Sequence, residues 1–326
     1  MRSGRSGSYD LDSVAMQPVV VILGPTAVGK SRLALSVSER FAGEIVNADA
    51  LQVYRGLERG TAKPSPKDRA RVPHHLIDIL EPRDAFSAGE FARRARTAIS
   101  EIRRRRHVPV VVGGSGFYLR ALLTPLSPIP EIPLSVRQAL RQRLEQEGLD
   151  VLRRELSEVD EDTERRLSVG DTQRVLRALE VWVATSRTLS SWKEERSDED
   201  SLEAVKVGLT LPRRLLYDRI AARVEVMLEA GWVDEVANLL ASGYSGREPA
   251  FQAIGYRQLI DHLRRQTELL EAVGEIVGST RRYAKRQMTW FRRDSEIRWY
   301  DASEVDELTE MVCADLVAAL GPEGAR

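Results

Sequence analysis

The sequence feature that most constrains the fold of this chain is GPTAVGKS, residues 24–31. It follows the apolar, β-branched run PVVVIL (18–23) and precedes SRLALSVSERF, whose apolar residues recur with helical spacing. A G-x-x-x-x-G-K-[ST] turn between a buried strand and a helix is typical of a phosphate-binding P-loop. The predicted phosphate cradle consists of Gly24, Pro25, Thr26, Ala27, Val28, Gly29, Lys30 and Ser31.

The parts of this turn suit a charged ligand. Backbone N–H groups and the N-terminus of the next helix can bind phosphate oxygens, Lys30 can neutralise them, and the Ser31 hydroxyl can help to hold Mg²⁺. A chance glycine-rich turn is the alternative. A P-loop alone favours a nucleotide kinase or an NTPase. However, no apolar strand ends in a plain Walker-B Asp with a catalytic Glu beside it, because Asp78 lies inside the run LIDIL.

The rest of the chain alternates between strand and helix patterns. A helix is predicted to begin at Ser87, where S-A-G-E forms a capping-box pattern, and to end among residues 103–106. Another helix is predicted over residues 212–231. The further predicted strands are EIVN (44–47), LIDIL (76–80), VPVVV (108–112) and AVKVGLTL (204–211). This alternation predicts an α/β fold, a P-loop doubly wound parallel sheet with functional loops at the carboxyl ends of its strands.

The alternation is interrupted in the middle of the chain. After Leu123 comes the proline-rich TPLSPIPEIP, followed by polar sequence with helical patterning and no strand candidate. We therefore expect a helical insertion at residues 127–199, within a core formed by residues 17–126 and 200–326 with C-terminal helices. Residues 1–16 are rich in Gly, Ser and Arg without an apolar segment, which predicts a disordered tail rather than a signal peptide or an anchor.

Composition limits the classes of protein. Hydrophobic residues make up 42% of the 326 residues, enough for a buried core, but no apolar run is long enough to span a membrane. A single cysteine, Cys313, excludes an internal disulfide framework and indicates a reducing, cytoplasmic compartment. The adjacent His74 and His75 would point in different directions, which argues against a zinc site. Because the net charge is zero, a nucleic-acid partner must be judged from local charge.

Two polar residues follow predicted strands at the edge that carries the P-loop. Asp49 comes just after EIVN, where a carboxylate can bind Mg²⁺ or remove a proton, or can simply cap a turn. Ser115 lies in the Gly-Gly-Ser-Gly turn between a strand and a helix. The small residues around it allow a bulky planar ligand to approach, or serve only the turn.

Local basic charge is concentrated in RRYAKRQMTWFRR, residues 281–293. If this run is helical, four cations lie one turn apart and form a cationic face: Arg281 with Lys285, and Arg282 with Arg286. With Trp290 and Phe291 beyond it, such a face suits nucleic acid, although a solvated helix face is the usual alternative. The insertion adds a second cluster in DTQRVLRALEVW, formed by Gln173, Arg174 and Arg177.

Taken in order, the motifs of this chain resemble one family. The motifs are GPTAVGKS, NADALQVYRGLERGTAKP, VPHHLIDIL, FSAGEF, VGGSGFYLRALL, DTQRVLRALEVW, LPRRLLYDRI, AIGYRQL and AKRQMTWFRR. They closely resemble the successive motifs of bacterial tRNA dimethylallyltransferases, also called tRNA isopentenyltransferases, from about Pro18 to Tyr300. DALQVYRG and GTAKP are specific to that family.

The resemblance implies a substrate that composition could not supply. Members transfer a dimethylallyl group from dimethylallyl diphosphate to the exocyclic amine of the adenosine 3′-adjacent to the anticodon in tRNA. The implied partners are the tRNA anticodon stem-loop and dimethylallyl diphosphate, with Mg²⁺ as cofactor, in a monomer. Lys30 would then neutralise a prenyl diphosphate rather than ATP, with Mg²⁺ near Ser31. Arg213 matches an arginine that contacts the diphosphate, Asp49 the proposed general base, and Ser115 a position close to the target adenine.

The residues expected to contact tRNA combine this resemblance with the basic clusters. They are Asp49, Ala50, Leu51, Gln52, Ser115, Arg137, Gln173, Arg174, Arg177, Arg281, Arg282, Lys285 and Arg286. The chain departs from the family at three places. Ala50 stands where the family commonly has Ser, Ser115 stands where it usually has Thr, and GLERGTAKP differs from the usual pattern of that loop. The competing hypotheses are an adenylate isopentenyltransferase, a small-molecule P-loop kinase and an RNA-binding NTPase without transferase activity.

Overall fold

The structure, a computed structural model, describes residues 18–195, 201–303 and 305–320, with the backbone alone for residues 305 and 306. The predicted disordered tail, residues 1–16, lies outside these ranges. Among the described residues no helix is long and apolar enough to cross a membrane.

One six-stranded, fully parallel sheet organises the fold, with strand order β3-β2-β4-β1-β5-β6. The strands are β1 (Val19–Leu23), β2 (Gly43–Asn47), β3 (His74–His75), β4 (Val108–Gly113), β5 (Ala204–Thr210) and β6 (Arg298–Asp301). The predicted α/β class and the doubly wound parallel sheet are therefore confirmed. Strand β6 was not predicted from the sequence.

Helices connect the strands and extend beyond them. Around the sheet they are α1 (Lys30–Arg40), α2 (Pro66–Arg71), α3 (Ala88–Arg104), α4 (Gly116–Leu123), α10 (Arg213–Glu229), α11 (Trp232–Ala241), α12 (Tyr256–Leu263), α13 (Leu269–Phe291) and α14 (Val305–Leu320). In the middle of the chain they are α5 (Leu134–Glu147), α6 (Leu149–Val159), α7 (Glu161–Arg165), α8 (Thr172–Thr185) and α9 (Leu189–Glu194).

The chain forms two compact units. The first ends at Leu123 and resumes at Leu202, and it holds the whole sheet. The second, Thr124–Ser201, contains α5 to α9. This second unit has its own apolar core, which includes Leu152 and Val175. Because its helices bury their apolar faces against one another, it needs no strand.

Both faces of the sheet are covered. Val20 and Ile22 of β1 pack in one core with Leu33 of α1. The alternate residue Val21 packs in a second core with Phe91 of α3. Successive side chains of a strand point to opposite faces, so a strand buried on both sides reads as the continuous apolar run seen in the sequence. This packing holds the carboxyl ends of β1, β2 and β4 side by side.

The predicted strand LIDIL (76–80) is wrong. Strand β3 is only two residues long and lies before it. Leu76 and Asp78 have φ angles of +62° and +56°, in the left-handed region that an extended strand cannot use. The backbone therefore turns at these two residues, and the carboxylate of Asp78 forms ion pairs with Lys63 and Arg69.

Candidate active site

The GPTAVGKS turn lies between β1 and α1, as the sequence predicts. Gly24, Ala27 and Gly29 have φ angles of +144°, +65° and +110°, so the backbone uses the left-handed region repeatedly. A Cβ at Gly24 would also lie 2.6 Å from the carbonyl oxygen of Leu209. Glycine is therefore required there. The turn brings the N-terminus of α1, with its free N–H groups, to the carboxyl edge of the sheet.

Lys30 is the first residue of α1, and its Nζ donates a hydrogen bond to the carbonyl oxygen of Pro25 at 2.7 Å. Burial and the nearby charge of Arg223 lower the pKa of Lys30 to about 7, against the opposing attraction of Asp49. Within the described chain, Lys30 has no carboxylate partner at ion-pair distance. The ammonium therefore has little compensation inside the protein, and an anion would supply it.

Lys30 and Asp49 line the same cavity of about 230 Å³, which we call the inner cavity. Its polar wall also includes Arg223, Tyr283 and Gln287. Its apolar wall includes Leu35, Ile45, Ile77 and Val112. The cavity thus places a cation, a carboxylate and apolar side chains around one volume.

A second cavity adjoins the first at the P-loop. It is lined by Gly29, Lys30, Ser31, Arg219 and Arg223, among others, and it shares Lys30, Ser31 and Arg223 with the inner cavity. Arg219 and Arg223 lie one turn apart on α10, so they face the same way. Burial lowers the pKa of Arg223 below its usual value, and Asp49 opposes this effect. These arginines give the P-loop cavities a strongly positive wall.

The arginine of α10 that the family resemblance predicts to contact diphosphate is Arg213. Arg213, the first residue of that helix, is exposed and stacks over the ring of Tyr217 at 5.1 Å. It is not among the residues that line either cavity. The motif RIAAR, with two arginines at helical spacing, carried a signal for Arg219 and Arg223 that we did not use.

Asp49 lies in a turn and also beside the inner cavity. Its Oδ1 accepts hydrogen bonds from the N–H groups of Leu51, at 2.8 Å, and Gln52, at 3.3 Å. The carboxylate therefore caps a turn. It also lines the inner cavity, and among the described residues nothing donates a hydrogen bond to its Oδ2. One oxygen orients the group and the other is available for chemistry.

The residues after Asp49 are held within the protein. Ala50 and Leu51 are half-buried and pack against two apolar cores. The side chain of Gln52 donates to the carbonyl oxygen of Thr61 at 3.1 Å and lines the inner cavity. Lys63, whose side chain is 1% exposed, extends the same loop and pairs with Asp78. The loop that carries GTAKP is thereby tied to the turn that carries Asp49.

Ser115 and its glycines lie against α13. Ser115 is half-exposed at the start of α4 and is not among the residues that line the cavities. A Cβ at Gly114 would overlap Nε2 of Gln287, and one at Gly116 would overlap the ring of Trp290. The sequence analysis offered a ligand or the turn as the reason for these glycines. The structure adds a third reason, which is the close approach of α13.

The cationic face of α13 is smaller than predicted. Arg282, Lys285 and Arg286 are exposed. Arg281 instead is half-buried over the ring of Tyr217, at 5.2 Å. The two aromatic residues expected beyond the face, Trp290 and Phe291, pack in the apolar core with β1 and α3. Three cations therefore remain for a partner, without those rings.

In the second unit, the predicted tRNA-contacting residues lie on α5 and α8. Gln173 and Arg174 are exposed, and Arg174 pairs with Asp171 at 3.0 Å. Arg177 and Arg137 both approach Glu180, at 3.5 and 3.8 Å. These pairs are exposed or half-exposed, so they stabilise little and can exchange for phosphate contacts.

Comparisons with known proteins identify relatives of the whole chain. A family model described as IPP transferase matches residues 52–294. The tRNA dimethylallyltransferase of Geobacter metallireducens is 46% identical over 284 residues, 87% of this chain and 92% of the relative. That of Moorella thermoacetica is 41% identical over 313 residues, 93% of this chain and 95% of the relative.

Solved structures extend the similarity to the fold. The tRNA isopentenylpyrophosphate transferase of Bacillus halodurans has a TM-score of 0.70 at 34% identity, covering 94% of this chain and 98% of that one. A eukaryotic dimethylallyltransferase, captured in crystallographic snapshots acting on tRNA, has a TM-score of 0.80 at 26% identity, covering 93% and 78%. The family model and the curated relatives cover most of the chain, and so this protein belongs to the IPP transferase family.

Proposed function

We propose that this protein transfers a dimethylallyl group from dimethylallyl diphosphate to the exocyclic amine of the adenosine 3′-adjacent to the anticodon in tRNA. The names of its relatives support this reaction. One observation in the chain itself carries it, namely that the cavity lined by Lys30 and Asp49 is also lined by the apolar residues Leu35, Ile45 and Val112. A prenyl diphosphate has a matching charged end and apolar end.

The bond changes define what the residues must do. The allylic carbon–oxygen bond breaks, and its electron pair leaves with diphosphate. The lone pair of the adenine amine forms the new carbon–nitrogen bond, and the amine proton goes to the Asp49 carboxylate. Because negative charge builds on the leaving group, Lys30, Arg223 and the P-loop amides act most strongly in the transition state.

Asp49 suits the role of general base. An adenine amine is a poor nucleophile because its lone pair is delocalised, and it becomes acidic only as the new bond forms. The hydrogen bonds from the N–H groups of Leu51 and Gln52 fix Oδ1, and Asp49 lines the inner cavity. A carboxylate held in this way accepts the proton without first having to reorient.

The residues present fit a Mg²⁺ cofactor bound chiefly through substrate. The described residues contain no group of three or more His, Cys, Asp or Glu that could hold a metal ion. Ser31 offers an exposed hydroxyl beside the P-loop amides. Mg²⁺ commonly takes one or two protein ligands together with substrate phosphates and water. When bound, it would neutralise part of the diphosphate charge.

For the tRNA we propose contacts from the exposed cations of α13 and from α8, with Ser115 beside the target adenine. Arg282, Lys285 and Arg286 can each neutralise a phosphate. Removing each contact flattens the slope of log affinity against log salt by about 0.7 to 0.9. A triple Ala variant should show this change, whereas alanine at the exposed Arg104 and Arg106 should not. An unchanged slope in the triple variant would make α13 an ordinary solvated helix.

We also propose that Arg213 contributes to diphosphate binding. The protein would act as a monomer in the cytoplasm, a reducing compartment in which a free, buried Cys313 is stable.

The deciding assay supplies radiolabelled dimethylallyl diphosphate together with tRNA or with AMP, and each of these two mixtures is also tested with added ATP. We expect label in tRNA alone, without ATP hydrolysis or a need for ATP. Label in AMP, or ATP turnover without label transfer, would contradict the proposed function.

A further inference from the structure

Gln287 connects two loops that the sequence separates widely. It lies on α13 with its side chain only 6% exposed. Its Oε1 accepts a hydrogen bond from the N–H of Thr26 in the P-loop, at 2.9 Å. Its Nε2 donates to the carbonyl oxygen of Gly114, beside Ser115, at 2.8 Å. One side chain thus bridges the phosphate loop and the loop that begins α4.

The chemistry of this bridge requires an amide. The N–H of Thr26 can only donate and the carbonyl of Gly114 can only accept, so the orientation of the Gln287 amide is fixed. A carboxylate would keep the first hydrogen bond and place a lone pair against the Gly114 carbonyl. A methionine would fill the volume and lose both hydrogen bonds. Each unpaired, buried polar group would then favour a shift of its loop.

The loop of Gly114 and Gly116 packs closely against α13. A Cβ at Gly114 would overlap the Gln287 amide, and one at Gly116 would overlap Trp290. Tyr283, one turn before Gln287 on α13, lines the inner cavity with it. The bridge therefore forms part of the wall of the cavity that holds Lys30 and Asp49.

We propose that Gln287 is a positioning residue that sets the distance between the two substrates by tying the P-loop to the Gly114–Ser115 loop. The inference rests on the transfer reaction proposed above, in which one loop holds the diphosphate and the other lies beside the adenine. The reacting carbon and nitrogen must come within about 3 to 3.5 Å, and a displacement of about 1 Å can cost about 10² in rate. Both polar atoms of the Gln287 amide are engaged by the two loops, so its role is to position them.

The first test is kinetic and uses Gln287→Glu. We expect kcat to fall by about 10²-fold, with each KM changed by less than about threefold, because binding contacts are retained. Relative to the wild type at the same pH, the rate should recover as the pH is lowered, since the protonated new carboxyl can again donate to Gly114. The matched control is Gln258→Glu, where Oε1 accepts from the N–H of Gly255 away from both cavities. A variant with wild-type kcat, or one with a lower melting temperature and unchanged rate profile, would overturn the inference.

The second test does not depend on transfer to tRNA. Hydrogen exchange is followed in the P-loop and in residues 113–117 with and without dimethylallyl diphosphate and Mg²⁺. We expect the ligand to slow exchange in both loops of the wild type, and in the P-loop alone of Gln287→Met. Slowing of both loops in that variant, or of the P-loop alone in the wild type, would overturn the inference. Lack of label transfer by the wild type would instead overturn the proposed function.

Discussion

The two edges of the sheet use buried charge in opposite ways. At the carboxyl edge, Lys30 and Asp49 line one cavity. Among the described residues, Lys30 has no carboxylate at ion-pair distance and Oδ2 of Asp49 receives no hydrogen bond. At the amino edge, Glu44 is 3% exposed, and both of its oxygens are filled by Arg105 at 2.7 and 2.8 Å. His75 and His107 lie 2.7 Å from the same carboxylate.

The pKa directions express this difference. Hydrogen bonds from Arg105 above all, and from His75 and His107, lower the pKa of Glu44 to about 2 although burial opposes them. Burial, together with the charge of Arg223, lowers the pKa of Lys30 to about 7 because no carboxylate of the described residues pairs with it, so its charged form is destabilised. A buried charge that is fully paired contributes to the fold. A buried charge without a partner is a candidate for function.

The first change that sharpens this comparison is Lys30→Met, for which we expect a large effect on turnover. Removing a preorganised cation that acts on the leaving group should lower turnover by about 10² to 10³-fold or more. The melting temperature of the ligand-free protein should rise, because the desolvation cost of the ammonium disappears. Steady-state kinetics and thermal unfolding measure the two outcomes. The control is Lys67→Met, which removes an exposed lysine of α2 and should change neither turnover nor melting temperature. Equal turnover in the two variants would mean that Lys30 takes no part in the reaction.

The corresponding change at the amino edge is Glu44→Gln. Leaving Arg105 and two histidines around an uncharged amide should cost about 3 kcal/mol of unfolding free energy. The activity of the folded fraction should be unchanged, because Glu44 lies at the opposite edge from Asp49. Urea unfolding and transfer rates per folded molecule provide the measurements. A large loss of rate with intact stability would break the distinction between the edges.

A smaller effect on the free energy of unfolding is expected as the pH is lowered. Folding lowers the pKa of Glu44 from 4.5 to about 2, so its stabilising contribution is complete above pH 4.5 and is lost as the pH falls towards 2. The difference in unfolding free energy between the wild type and Glu44→Gln should therefore shrink through this window. Unfolding in urea at several acidic pH values measures it. A difference that stays constant down to pH 2 would mean that Glu44 is not held ionised by its partners.

The sequence predicted the carboxyl edge better than the amino edge for a physical reason. The P-loop, β1, β2 and β4 are local patterns, and each follows from residues that are adjacent in sequence. Asp49 and Ser115 were placed at the strand ends by the rule that these ends meet at one edge. LIDIL failed because its backbone turns at Leu76 and Asp78, and the β propensity of a short run does not reveal such turns.

The features that could not be predicted from the sequence depend on contacts between residues that are far apart in the chain. Gln287 meets Thr26 and Gly114 across separations of 261 and 173 residues, so no local pattern marks it. Glu44 reaches Arg105 across 61 residues. The partial burial of Arg281, which removed one cation from the predicted face, was set by Tyr217 on another helix. Helical spacing shows which residues share a face, but not which neighbour covers that face.

The most direct measurement of the difference between the two edges is single-turnover transfer by Asp49→Asn. Asparagine keeps an oxygen that accepts from Leu51 and Gln52, so the turn and the tRNA affinity should persist, but it cannot take the amine proton. We expect the rate of label transfer to tRNA to fall by about 10² to 10⁴-fold with an unchanged melting temperature. Transfer at a near wild-type rate would mean that Asp49 only caps a turn. It would contradict a catalytic role for the carboxyl edge of the sheet.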